Sequence, residues 1–260
     1  MDSILIVDDD LVSLNLMQQT VQAMGYQTHS CSHPKEALVW LKENSCSMLI
    51  TDYQMPELNG IELMTMAREI RPDLVAILVT AYSNTDIISE ALKQGAFDFV
   101  EKPLKPNYVR EVIQLGMAFK DVAVDVSPTV TKGHFAKFSE DSKQNLTATK
   151  GEWALIDHEY ISELLMTLDK AHFLELVNDA KNSIQDQLNE LKDGQCDDSR
   201  TKAILHKIVG TASSLGLKKM SVEASTNHQI SLSERRRLVP NEIASLEEIF
   251  LESLDELLAF

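Results

Sequence analysis

Three aspartates, a threonine and a lysine within the first 103 residues have the types and the spacing to handle a phosphoryl group. Asp8, Asp9, Asp52, Thr80 and Lys102 each stand at or just past the end of a short apolar run, with Phe99 and Pro103 beside the last of them. The runs are Ile4-Leu5-Ile6-Val7, Met48-Leu49-Ile50-Thr51, residues 74–79 and residues 97–100. Such runs, alternating with longer amphipathic stretches, predict buried parallel strands separated by helices. Ligands of an open parallel sheet bind beyond the carboxyl ends of its strands. Three carboxylates, a hydroxyl and an ammonium are therefore expected in one crevice. Clustered carboxylates repel one another; a divalent cation relieves this, and Mg²⁺ favours a few carboxylates plus water. A nearby ammonium helps to hold phosphoryl oxygens. Asp10 suits the N-cap of a helix that begins at Leu11.

Residues 1–122 resemble the receiver domain of two-component response regulators. The resemblance rests on Ile4-Leu5-Ile6-Val7-Asp8-Asp9-Asp10, on Asp52-Tyr53-Gln54-Met55-Pro56 with Gly60, on Thr80-Ala81 and on Lys102-Pro103. It implies an α/β, doubly wound, five-stranded parallel sheet of the flavodoxin-like kind. It also implies that Asp52 accepts the phosphoryl group, that Asp9 binds Mg²⁺ directly and Asp8 through water, and that Gln54 offers its backbone carbonyl. Thr80 and Lys102 would contact phosphoryl oxygens, Phe99 would be the rotating aromatic of the switch, and Lys102-Pro103 would be a cis peptide.

Composition narrows the rest. The 260 residues suffice for two domains. No apolar run reaches the length of a membrane span, and the N-terminus lacks a basic region followed by an apolar one, so a cytoplasmic protein without membrane contact is expected. Cys31, Cys46 and Cys196 are scattered and have no metal-ligand spacing, which suits a reducing compartment. The net charge is −16. Residues 1–122 hold 9 Lys+Arg against 17 Asp+Glu and residues 123–260 hold 15 against 23, so each part carries −8. An acidic C-terminal half argues against nucleic acid as a partner, because phosphate neutralisation dominates DNA affinity.

Between residues 123 and 151 the apolar periodicity fails and Asp, Ser, Thr, Lys and Asn dominate, which reads as a flexible linker. After it the spacing turns helical. Helices are expected over residues 157–168, 170–191, 198–215, 218–230 and 240–258. Asp169 should cap the second, and Pro240 should sit in the first turn of the last. Amphipathic helices with short connections predict an all-α bundle.

The helix from Asp198 carries a second piece of chemistry. At 100° per residue Ile204, Ile208, Thr211 and Leu215 form one stripe, and His206 points away from it. Gly210, one turn beyond His206, costs about 1 kcal/mol of helix stability relative to Ala. A bare surface there would let the active-site loops of another protein approach the imidazole. The run His206-Lys207-Ile208-Val209-Gly210-Thr211-Ala212-Ser213-Ser214-Leu215-Gly216 resembles the phosphorylation motif of histidine phosphotransfer domains, over about residues 152–260. That resemblance implies a four-helix bundle with an exposed phosphoaccepting His206. It departs from the family at Val209, where a lysine is usual; Lys202 and Lys207 are candidate substitutes.

The remaining histidines form no metal pattern, and there is no Gly-rich ATP loop, so a kinase must act in trans. The expected function is that of a phosphorelay protein, a phosphoryl-transfer intermediate and not a kinase. Asp52 would accept phosphate from a sensor histidine kinase. His206 would carry it to or from receiver aspartates, with other receiver or phosphotransfer proteins as partners. The alternative is a switched regulatory protein whose bundle binds or inhibits a partner without phosphorylation of His206.

Overall fold

The computed structural model describes residues 3–81, 85–122, 154–194, 196–234 and 236–260. The expected linker, residues 123–151, lies outside the described residues. The first half alternates strand and helix: β1 (Ser3–Val7), α1 (Leu11–Ala23), β2 (Gln27–Cys31), α2 (Pro34–Glu43), β3 (Met48–Asp52), α3 (Gly60–Ile70), β4 (Val75–Thr80), α4 (Thr85–Lys93), β5 (Asp98–Glu101) and α5 (Pro106–Val122). The five strands are parallel in the order β2-β1-β3-β4-β5. The order reverses between β1 and β3, and β1 and β3 carry Asp8, Asp9 and Asp52 at their ends. Ligands of such sheets bind at that switch point.

Alternation along each strand divides the core into two layers. Ile4, Ile6, Met48, Ile50, Val75 and Ile77 pack on the α1 and α5 side. Leu5, Val7, Leu49, Ala76 and Leu78 pack on the α2 and α3 side. Each fully buried Ile or Leu contributes about 1.5–3 kcal/mol of transfer free energy. β2 is the exception to the apolar strands. It is an edge strand, and its residues Gln27 to Ser30 are only partly covered.

The second half is helical: α6 (His158–Thr167), α7 (Lys170–Lys192), α8 (Asp198–Ser214), α9 (Lys218–Glu234) and α10 (Pro240–Ala259). Asp157, Asp169 and Asp197 cap α6, α7 and α8, each accepting a hydrogen bond from a first-turn amide. Pro240 occupies the first turn of α10. Helix α7 packs on α8, α8 on α9, α9 on α10 and α10 back on α7. Helix α6 lies on α7 and also on α5 of the first half. The α1 and α5 core layer therefore runs on without interruption into the C-terminal helices through Met117, Ile156, Tyr160 and Leu164. Among the described residues no helix is long and apolar enough to cross a membrane.

Candidate functional site

The crevice beyond β1, β3, β4 and β5 is built by strand ends. β1 delivers Asp8, which is 5% exposed, and β3 delivers Asp52 at 4%. Lys102 follows β5 across a cis peptide to Pro103. Its ammonium bridges the two carboxylates, with Nζ 2.9 Å from Asp8 Oδ2 and 2.8 Å from Asp52 Oδ1. The other oxygen of Asp52 accepts from the Gln54 amide at 2.7 Å. Asp8 accepts from the Asp10 amide at 2.9 Å, which fixes the turn into α1.

α3 approaches β3 closely because residue 60 has no side chain. A Cβ on Gly60 would collide with the Asp52 carbonyl oxygen and with Leu78 Cδ1. Asn59 and Glu62 set the start of that helix as a reciprocal cap. Thr80 ends β4 and is buried, and its carbonyl accepts from the Lys102 amide at 2.8 Å. Phe99 is buried in the α2 and α3 layer, and its carbonyl accepts from the Tyr108 hydroxyl at 3.5 Å.

Burial dominates the electrostatics. It pushes the Asp52 carboxyl up; Lys102 opposes the shift and Asp8 adds to it. Burial also works against the Lys102 charge, but Asp52, Asp8 and Asp10 outweigh it and hold the ammonium protonated. Asp9 is likewise raised by burial, with Lys207 as its chief opposing charge.

The three acidic residues do not meet at a single point. Asp8 and Asp52 share Lys102, whereas Asp9 turns outward to Lys207 of α8, with Oδ2 3.3 Å from Nζ. Among the described residues no group of three or more His, Cys, Asp or Glu side chains stands arranged to hold a metal ion. The donor chemistry still suits one. Two carboxylates at adjacent strand ends and the Gln54 carbonyl are hard oxygen donors of the kind Mg²⁺ takes. Asp9 would have to leave Lys207 to join them.

Helix α8 lies across the mouth of this crevice and touches the elements that form it. Thr211 Oγ1 donates to Asp10 Oδ2 at 3.0 Å, a bond between residues 201 positions apart. Asp10 Oδ1 meanwhile accepts from the Val12 amide, so one carboxylate serves two helices. Lys207 holds Asp9. Gly210 faces the crevice itself: a Cβ there would sit 3.5 Å from Asp10 Oδ2 and 3.9 Å from Lys102 Nζ. A cleft lined by Asp9, Leu11, Asn15, Asp179, Asn182 and Lys207 opens beside this contact.

His206 differs from its expected placement. It is half-buried instead of exposed. Burial, the Lys102 ammonium and His228 together push its pKa down to about 3, against smaller opposing effects of Asp8 and the nearby Gln54 backbone. The neutral imidazole is the form with a lone pair for phosphorus. His228 of α9 stands behind it, with ring centroids 6.2 Å apart. The helical projection placed His206 correctly, away from Ile204, Ile208 and Leu215, all of which are buried. It could not say that the first half of the same chain covers that face. Thr211, expected on the core stripe, instead reaches Asp10. Val209 is 2% exposed, so this position is not open to solvent.

Comparison with known proteins agrees with the first half. Residues 4–114 match the response regulator receiver domain family. The phosphoglycerate transport system transcriptional regulatory protein PgtA of Salmonella typhimurium is 33% identical over 112 residues, covering 43% of this chain and 27% of that protein. The transcriptional regulatory protein ZraR of Escherichia coli K12 is 28% identical over 132 residues, or 51% of this chain and 30% of that one. The chain thus spans less than a third of the length of these curated relatives. A response regulator receiver domain protein (CheY-like) of Methanospirillum hungatei superimposes with a TM-score of 0.45 at 27% identity, over 47% of this chain and 98% of that structure. Residues 4–114 are the receiver domain of a two-component response regulator.

Proposed function

We propose that this chain is a phosphorelay protein in which the receiver is joined to a histidine phosphotransfer bundle. The Asp52 carboxylate attacks the phosphoryl group of a sensor kinase phosphohistidine in line. Lys102, already held between Asp52 and Asp8, neutralises charge on the equatorial oxygens, and the Thr80 hydroxyl meets another of them. Inward movement of Thr80 lets Phe99 fill the space behind it, a two-state switch biased by new charge-assisted contacts. Asp9, Asp52 and the Gln54 carbonyl would hold Mg²⁺, with Asp8 reaching it through water. When bound, the ion supplies further neutralisation of phosphoryl charge. His206 carries the group to or from a receiver aspartate.

One observation supports the bundle's part most strongly. Helix α8 presents His206 and the bare Gly210 to a receiver crevice with Lys102 directly opposite. The closed ring of α7, α8, α9 and α10 accords with a four-helix bundle. Transfer from a phosphorylated sensor kinase to wild type, Asp52→Ala and His206→Ala tests the reading. Wild type should acquire both acyl phosphate and phosphohistidine, Asp52→Ala neither, and His206→Ala only the first. Equal labelling of Asp52→Ala and wild type would sink it.

Val209 favours a second reading. A buried valine replaces the family's lysine, so α8 itself supplies no ammonium at that position. On that reading the helices bind a partner, and the state of Asp52 controls their release. Loss of output in Asp52→Ala, with output intact in His206→Ala, would select it.

A further inference from the structure

The relay reading leaves open which receiver serves His206, and we infer that it is the receiver of the same molecule. α8 docks over its own Asp52 crevice, and phosphoryl exchange between Asp52 and His206 runs within one chain. This inference rests on the phosphorelay reading and adds the partner to it.

Four contacts carry the inference. Thr211 donates to Asp10 in a buried hydrogen bond. Lys207 pairs with Asp9. The His206 ring lies beside the Gln54 backbone, two residues from the phosphoacceptor. Gly210 faces Asp10 and Lys102, where a methyl group would already be in van der Waals contact. All four bind α8 to the loops that close the crevice, and none is a contact that the helices need in order to pack on one another. Gly210 then has a physical reason. A longer side chain at this position would enter the site where Lys102 bridges Asp8 and Asp52. The glycine lowers helix propensity by about 1 kcal/mol relative to Ala, and the receiver's approach is what it permits. α1 and α5 extend the interface, packing on α7 and α8 and on α6.

The step is balanced. Once Asp52 carries an acyl phosphate, Nε2 of His206 attacks phosphorus in the tautomer that keeps the ring proton on the buried Nδ1. The nitrogen–phosphorus bond forms as the bond from phosphorus to the Asp52 oxygen breaks. The electron pair returns to the Asp52 carboxylate, and the ring proton stays on the other nitrogen. The reverse step runs through the same arrangement. A partner held on one chain experiences an effective concentration that can reach millimolar, so micromolar partners are at a disadvantage of roughly a hundredfold or more.

The test uses the full chain, with acetyl phosphate as phosphodonor in the presence of Mg²⁺. Acid-labile phosphohistidine and base-labile acyl phosphate are followed separately. Wild type should form phosphohistidine at a rate per molecule that does not change over a hundredfold dilution. An equimolar mixture of Asp52→Ala and His206→Ala contains both groups only on different chains. It should lag roughly a hundredfold at micromolar protein. Gly210→Glu sets a carboxylate against Asp10, so phosphohistidine should fall at least about tenfold while acyl phosphate on Asp52 accumulates. A rate that rises with concentration, or a mixture as fast as wild type, would overturn exchange in cis and leave the relay standing. Absence of phosphohistidine from wild type at every concentration, with Asp52 labelled, would end both. The mixing experiment does not depend on how Gly210→Glu folds.

Discussion

Lys102 and Lys207 divide the acidic crevice between them, and the two pairs differ in kind. Lys102 is buried with Asp8 and Asp52. Removing one partner of a buried ion pair strands the other and costs about 3–5 kcal/mol. Lys102→Met should therefore lower stability by about that amount in urea unfolding, because two buried carboxylates would lose their common counter-charge. A loss under about 1 kcal/mol would mean that the carboxylates have another partner. Lys207 is 40% exposed and holds Asp9 from outside. Such a pair contributes at most about 1 kcal/mol, so Lys207→Ala should leave stability nearly unchanged. Its effect should show in metal affinity, since Asp9 is freed. Mg²⁺ titration by calorimetry should give a several-fold tighter dissociation constant, and weaker binding in Lys207→Ala would contradict the competition.

α8 is set by its first turn and qualified by its middle. Asp197 accepts from the Arg200 amide at 2.7 Å. Asp197→Ala should cost about 1 kcal/mol, seen as a lower melting temperature. Gly210→Ala should act in the opposite direction. Its methyl group would meet Asp10 and Lys102 at ordinary contact distance, and helix propensity would rise by up to about 1 kcal/mol. A drop in melting temperature would show that the crevice tolerates no side chain at all. Elements of this kind were readable from sequence where burial is periodic. Four strands announced themselves as apolar runs. The caps Asp10 and Asp169, and Pro240 in the first turn of α10, stood where expected. β2 did not, because Gln27-Thr28-His29-Ser30 is polar and its edge position leaves it half covered. Asp8, Asp52 and Lys102 were legible as one crevice, since strand ends in a parallel sheet converge. The contacts Thr211–Asp10 and Lys207–Asp9 were not. Periodicity reports that a face is buried, and it says nothing of what lies on the far side. The exposed placement expected for His206 failed for that reason.

On the scale of the whole molecule, the sheet layer and the helical half share one continuous apolar core through α5 and α6. Two domains that share only a flexible linker over residues 123–151 would unfold in two steps. The shared core predicts a single cooperative thermal transition for the intact chain. A protease site engineered within residues 123–153, once cut, should yield halves that co-elute at tens of micromolar and separate on dilution. Halves that part at every concentration would show that the shared core contributes little. Asp10 gives this union a further consequence. Its two oxygens fasten the first turn of α1 and the hydroxyl of Thr211 at once, so the receiver's entry turn cannot change its energy without α8 sensing it. Coupling of this sort is reciprocal by thermodynamic necessity. If phosphorylation of Asp52 loosens α8 by some factor, releasing α8 must make phosphorylation more favourable by that same factor. A kinase that merely pulls the helix aside would then prime the aspartate before delivering anything to it.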